Sequence, residues 1–450
     1  MDNNLSNIPL IALSDETKKI VSNLLNPIKT IPVKDSTLTR FLKMSSAENS
    51  RYYRNIYPDF CDDNAKNIIN ITENKIDEKF KEKLCKKIDD YLLIIEKNSK
   101  EWNHRNDNSI YTGNIGVIFL YYFLGTKLNR QELIDKAENL LKKIPKENDS
   151  MKKYISFLIG IPGVYITTAL IQKATNQDEI KIKTTIEKLN ELLNHTISQN
   201  VDELLYGKSG YLYSLLYTKK NISNDLIKDK DIKALINKLL INGKKYSSDN
   251  NFEAPLMYSW HDKEYLGGAH GLAGILFILL QAREYLNEDD LKNYIEPTIR
   301  YLIKTRFPSG NFPSSVDNDR DRLVHWCHGA PSMTMLFTTA HQVFGKDEYL
   351  NIAKECGDVI WKRGLLKKGC GLCHGVAGNA YSFLCLYNYT KELKYLYYAC
   401  KFAEWCFDYE FHQERIPDRP YSLFEGLAGV IYFLADLLNP TSAKFPGYEL

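Results

Sequence analysis

A Gly-x-x-Gly signature followed at once by an apolar run recurs along this chain, and no other feature restricts its fold as much. It appears as Gly113-Asn-Ile-Gly116, Gly160-Ile-Pro-Gly163, Gly207-Lys-Ser-Gly210, Gly271-Leu-Ala-Gly274, Gly375-Val-Ala-Gly378 and Gly426-Leu-Ala-Gly429, with a degenerate copy at Gly329-Ala-Pro-Ser332. Successive first glycines lie 46 to 64 residues apart, room for two helices and their connections. Paired glycines permit close backbone approach, and the apolar residues after them, as in Val117-Ile-Phe-Leu-Tyr-Tyr-Phe-Leu, open a helix buried all round. Between copies lie amphipathic stretches such as 289–303, with apolar residues at helical spacing and charges elsewhere. Seven alternations of the two helix types predict an all-α fold, an α/α toroid of seven inner and seven outer helices. An open solenoid would end in polar caps, whereas the last copy is as apolar as the middle ones.

At roughly 150 residues per domain the length alone suggests about three domains, but one repetitive fold absorbs it. Residues 1–46 lack the repeat and carry scattered Asn, Ser, Thr, Lys and Pro, which predicts a poorly ordered extension. Residues 47–450 form a single expected domain. Within it, 51–97 has helical periodicity and is expected to dock on the first repeat, and the polar stretch 221–251 reads as an insertion. A net charge of +3 with 26% charged residues argues against a nucleic-acid partner held by bulk charge. The uncharged runs 155–171 and 265–282 contain internal glycine and polar residues, and the mean hydropathy is −0.36. They read as buried helices, which predicts no membrane span while leaving room for peripheral membrane association. The opening Met1-Asp2-Asn3-Asn4 lacks an apolar signal segment, so the expected location is cytoplasmic. Nine cysteines, seven of them between Cys327 and Cys406, then point to thiol or metal chemistry rather than a disulfide framework.

Three copies are decorated at or just before the first glycine: Gly267-Gly-Ala-His270-Gly271, His325-Trp-Cys327-His328-Gly329 and Cys370-Gly-Leu-Cys373-His374-Gly375. In a closed ring, equivalent positions converge at one end of the cavity, bringing Cys327, Cys373 and His374 together across 46 residues of sequence. Two thiolates and an imidazole with a fourth position open are the composition of a catalytic zinc site, and the soft donor set favours Zn2+ over magnesium or calcium. The bland alternative is that small cysteines beside glycine simply pack in the core. Cys370 has packing as its default role, although with Cys373 it forms a Cys-x-x-Cys pair. His270 shares the register of the ligands and is either a general acid/base or a hydrogen-bonded structural histidine; His328 and His325 are similarly placed. Lys367, Lys368, Arg415 and Arg419 precede the sixth and seventh copies as nominally solvated charges; if their loops face the cavity mouth, they would meet carboxylates of a small anion.

Through His325-Trp-Cys-His-Gly-Ala-Pro331 and Gly371-Leu-Cys-His-Gly375, set within seven glycine-containing repeats, the chain resembles the eukaryotic LanC-like proteins, relatives of bacterial lanthionine cyclases. The resemblance runs from about Arg51 to the closing Phe-Pro-Gly-Tyr-Glu-Leu. It implies the same toroid, one Zn2+ held by Cys327, Cys373 and His374, and glutathione as co-substrate. It assigns glutathione to Lys368 and the segment Arg415, Ile416, Pro417 and Asp418, and the catalytic histidine to His270. Ser332 departs from the repeat where a second glycine would stand, leaving the ligands untouched. The aspartate of the bacterial cyclases has no evident counterpart at Gly207-Lys-Ser-Gly210, so the resemblance extends to glutathione addition rather than to peptide cyclisation.

The implied activity is a zinc-dependent glutathione transferase that forms thioethers on dehydroalanine or dehydrobutyrine residues of proteins or peptides, or on other electrophiles. Glutathione's thiol, its pKa lowered by the cation, adds to the β-carbon, and His270, or else His328, protonates the α-carbon. The alternative class is a glutathione-sensing adaptor with little turnover. It rests on Pro417-Asp-Arg-Pro420, a short Pro-x-x-Pro segment compatible with an SH3-domain partner and equally with an ordinary turn.

Overall fold

The computed structural model describes residues 50–103, 107–144, 153–412, 414 and 416–450. The extension 1–46 lies outside them. Fourteen principal helices alternate in character along the described chain. The odd-numbered ones are α1 (Glu78–Lys97), α3 (Gln131–Leu141), α5 (Glu179–Glu191), α7 (Asp229–Asp249), α9 (Glu296–Lys304), α11 (Asp347–Arg363) and α13 (Leu393–Cys406). The even-numbered ones are α2 (Asn114–Lys127), α4 (Ile161–Ala174), α6 (Lys208–Asn221), α8 (Leu272–Gln281), α10 (Ala330–Phe344), α12 (Val376–Thr390) and α14 (Leu427–Leu437).

Each even helix packs on the next, α2 on α4, α4 on α6, α6 on α8, α8 on α10, α10 on α12 and α12 on α14, and α14 returns to α2. The seven inner helices therefore close a ring. The odd helices carry exposed charges on one side and a buried stripe on the other, as in α1 with Phe80, Leu84, Ile88, Tyr91, Leu92 and Ile95 inward. The chain is an α/α toroid.

The repeat signature has one structural meaning. In all seven copies the first glycine caps an inner helix. At the second glycine a Cβ would overlap the carbonyl oxygen six residues earlier: Ile110 at Gly116, Phe157 at Gly163, Leu204 at Gly210, Gly268 at Gly274, Leu372 at Gly378 and Leu423 at Gly429. The glycine lets the incoming loop lie on the first turn of its own helix. Ser332 is accommodated in the one copy whose capping glycine, Gly329, has φ +108°, a left-handed value no other capping glycine adopts.

Two expectations need correction. Residues 51–97 do not dock chiefly on the first repeat: within them α1 packs against α14, supplying the outer helix of the last repeat, while its Glu96 and Asp89 pair with Lys136 and Arg130 of the first repeat. Helical periodicity failed for 51–77, which folds mainly as loop with a two-stranded hairpin (Ile69–Asn70 with Lys75–Ile76). The stretch 221–251 is not an insertion but mostly α7, an outer helix whose Ile232, Leu235, Ile236, Leu239 and Leu240 are buried beneath its lysines. Ring closure is reinforced by Lys127 of α2 and Asp436 of α14, 2.7 Å apart, with the Tyr381 hydroxyl donating to the same carboxylate at 2.9 Å. Beyond α14 the chain turns back into the barrel, where buried Phe445 and Tyr448 pack on Trp326 at 4.8 and 5.3 Å. Among the described residues no helix is long and apolar enough to cross a membrane.

Candidate active site

The site follows from how the loops before the inner helices are tied together. In five of the seven copies the residue two before a capping glycine donates its backbone N–H to the carbonyl of its counterpart in the next copy. Cys327 donates to Cys373 at 3.2 Å, Cys373 to Phe424 at 2.9 Å, Phe424 to Tyr111 at 3.0 Å, Tyr111 to Leu158 at 2.9 Å and Leu205 to Ala269 at 3.3 Å. This belt stacks equivalent positions of neighbouring repeats side by side. The residue that follows each of them, immediately before the glycine, is half-buried in every copy: Thr112, Ile159, Tyr206, His270, His328, His374 and Glu425. Those seven side chains line the end of the ring formed by the helix N-termini.

In the fifth and sixth copies the belt positions are cysteines. The ligating atoms of Cys327, Cys373 and His374 lie within 4.8 Å of one another, and the two cysteines are 8% and 3% exposed and in no disulfide. Burial, and the neighbouring Cys327, push the Cys373 thiol well above its ordinary range, while His374 opposes the shift. Two buried thiols and one imidazole, converging without a protein cation among them, form a donor set that fits a borderline-soft divalent ion such as zinc. Cys370 is not in the cluster; its thiol pairs with that of buried Cys406.

His270 sits one repeat before Cys327. Its Nδ1 is 3.1 Å from a carboxylate oxygen of Glu203, a residue 2% exposed that also accepts from the backbone N–H groups of Leu205 and Tyr206, each at 2.6 Å. The carboxylate is thus fixed by its own loop and fixes the imidazole in turn. Sequence reasoning missed Glu203, and a statement above is amended by it: an acidic side chain does serve this loop, four residues ahead of Gly207. The only available signal was an acidic pair, Asp202-Glu203, set directly before the apolar Leu204-Leu205-Tyr206.

His328 is more buried, and burial together with His270, Lys368 and His374 pushes it down to about 4. Its Nδ1 has no hydrogen-bond partner among the described residues. His325 is held well below its ordinary range, chiefly by burial and then by His374 and Lys368, with Arg51 contributing. Lys368 is exposed yet within electrostatic reach of both histidines. Arg51 arrives there because its segment pairs with 365–367: Tyr53 N–H donates to Leu365 O at 2.7 Å and Lys367 N–H to Arg51 O at 3.1 Å. Lys367 itself is paired with Glu414 at 3.2 Å. Ile416 is 75% exposed, and Asp418 and Pro420 line a hollow with Thr112 of the first repeat. Arg415 lies outside the described residues.

Comparison with known proteins agrees with this architecture. Residues 104–450 match the family model described as lanthionine synthetase C-like protein. Over 413 residues, 89% of this chain and 99% of the relative, the chain is 38% identical to a zebrafish (Danio rerio) protein named glutathione S-transferase LANCL1. It is 34% identical over 76% of its length to LanC-like protein GCL1 of Arabidopsis thaliana, covering 82% of that protein. Among solved structures, nisin cyclase superimposes with a TM-score of 0.60 over 79% of this chain and 94% of its own, at 18% identity, a likeness of fold.

Proposed function

Because the chain belongs to the lanthionine synthetase C-like family, we propose that it is a zinc-dependent enzyme that adds the thiol of glutathione to dehydroalanine or dehydrobutyrine residues in proteins or peptides. The observation that carries this reading is the convergence of Cys327, Cys373 and His374 at the mouth of the ring, one repeat from an oriented histidine. The zebrafish relative's name supports glutathione as the thiol. Zinc held by that trio would favour the thiolate form of a thiol brought to it at neutral pH.

The chain's own residues supply the rest. Lys368 and Arg51 offer positive charge to glutathione's carboxylates, and Arg415 is expected to join them with Ile416, Pro417 and Asp418 in the adjoining segment. In the addition the thiol loses its proton, its sulfur bonds to the β-carbon, the carbon–carbon double bond opens, and the α-carbon takes a proton from a protonated imidazole, so that no proton is gained or lost overall. His270 is the proton donor, with Glu203 engaging Nδ1 so that Nε2 serves the substrate. His328 is the second choice, because its Nδ1 has no hydrogen-bond partner among the described residues to orient it.

Zinc would be quantified in the purified protein, which would then be incubated with glutathione and a dehydrobutyrine peptide and followed by mass spectrometry. The expected results are one zinc per chain and the glutathione adduct. Tight glutathione binding with no adduct would shift the reading to a sensing adaptor, with the exposed 416–420 segment as the surface to test against SH3 domains.

A further inference from the structure

A band of aromatic rings runs down the wall of the mouth on the side of repeats two to four and ends beside the metal donors. Tyr154, 37% exposed, meets Tyr206 edge-on at 5.4 Å. Tyr206 stacks on Trp260 at 5.3 Å, and the His270 ring lies nearly parallel to both, at 9° and 11°. Tyr265 then bridges His270 at 6.0 Å and His328 at 5.6 Å. Most large aromatics of this chain are buried, whereas Tyr206, Trp260 and Tyr265 are half-exposed.

Trp260 is held there by a tight turn. It starts a two-residue hairpin closed by Trp260 N–H to Lys263 O at 2.9 Å and Lys263 N–H to Trp260 O at 3.2 Å. The residues between, His261 and Asp262, have φ of +49° and +57°, although neither is glycine. Positive φ at both central residues is the pattern of the tight turn that suits a two-residue hairpin, and His and Asp are among the side chains that tolerate it, so the turn fixes where Trp260 is presented.

An addition reaction brings two substrates to one point from different directions. In the reading above, on which this inference rests, the anionic thiol donor is drawn toward Lys368, in the loop leading into repeat six, and Arg51, whose segment pairs with that loop. The acceptor's α-carbon must reach His270. Residues flanking the dehydroamino acid therefore pass over the rings around His270, whose open faces suit apolar and aromatic groups. We propose that Tyr154, Tyr206, Trp260 and Tyr265 form the acceptor subsite, which takes an aromatic or aliphatic side chain adjacent to the dehydroamino acid of a polypeptide substrate. At its outer end Lys153 lies 5.3 Å over the Tyr154 ring, so an acidic flanking residue is the competing specificity to test.

Three peptides differing only in the residue beside dehydrobutyrine, Phe, Ala or Asp, separate the possibilities. The Phe peptide should have the lowest KM on the native protein. Trp260→Ala should raise that KM about tenfold, toward the Ala peptide's, while kcat and the glutathione Kd stay within about twofold. Trp260→Phe should recover most of the loss, which a folding defect would not explain. Equal KM values for the three peptides, a preference for Asp, or a preference for Phe that survives Trp260→Ala would overturn the subsite. The same peptides with threonine in place of dehydrobutyrine, labelled and followed by fluorescence anisotropy, give a readout independent of turnover. Preferential binding of the Phe peptide without any adduct from its reactive counterpart would sustain the subsite and overturn the proposed reaction instead. Adduct formation with no binding preference would do the reverse.

Discussion

Two neighbouring pairs of repeats use the same backbone link for different ends. Between copies five and six, Cys327 N–H donates to Cys373 O at 3.2 Å; between copies seven and one, Phe424 N–H donates to Tyr111 O at 3.0 Å. In the first pair the side chains at those positions are two buried thiols beside His374. In the second they are two rings stacked at 4.8 Å. The main chain alone brings equivalent side chains together, and the residue type decides whether the contact is packing or chemistry. The ring is therefore expected to stay closed without a metal.

Cys373→Ala should show the largest effect if that contrast is right. Metal content should fall to background and glutathione addition with it, while the cooperative unfolding transition persists. Phe424→Ala, at the equivalent position, should do the opposite: about 3–5 kcal/mol of stability lost in denaturant titration, with zinc and rate per folded molecule retained. Unfolding of the first variant, or loss of metal in the second, would break the comparison. His270→Ala comes next. It should keep zinc and glutathione binding yet react about 100-fold more slowly, with α-carbon deuterium incorporation in heavy water marking the step that is slowed. Glu203→Gln should cost about tenfold in kcat alone, and Glu203→Asp should recover part of it.

Lys368→Ala sharpens the electrostatic side. It should raise the glutathione Kd about tenfold, and the difference from the native protein should shrink as salt increases. Cys370→Ser should do least, retaining one zinc per chain. Loss of zinc in that variant, with retention in Cys327→Ala, would move the site to the Cys-x-x-Cys pair.

The repeat and the donor trio were legible because both obey one register. A glycine that caps each inner helix marks the spacing, so residues 46 apart can be aligned on paper and their convergence deduced. Glu203 obeys no register: it reaches His270 from another repeat, and the hydrogen bonds that fix it come from the N–H groups of its own loop. Arg51 was likewise invisible, since the pairing of its segment with 365–367 spans most of the chain. The same non-locality misdirected the reading of α1. Its amphipathic pattern announced an outer helix, but a pattern states which face is buried and not which partner buries it.

That partner, α14, sets a schedule for biosynthesis. As the chain leaves the ribosome from its N-terminus, the apolar stripe of α1 is complete at Lys97, about 330 residues before Leu427 opens the helix that covers it, and at about 5–20 residues per second that is some tens of seconds of exposure. An open array could fold repeat by repeat behind the ribosome. Here the final seam waits for the last helix. A nascent chain halted before residue 427 would hold a half-built ring with an uncovered greasy edge, the kind of surface that chaperones bind.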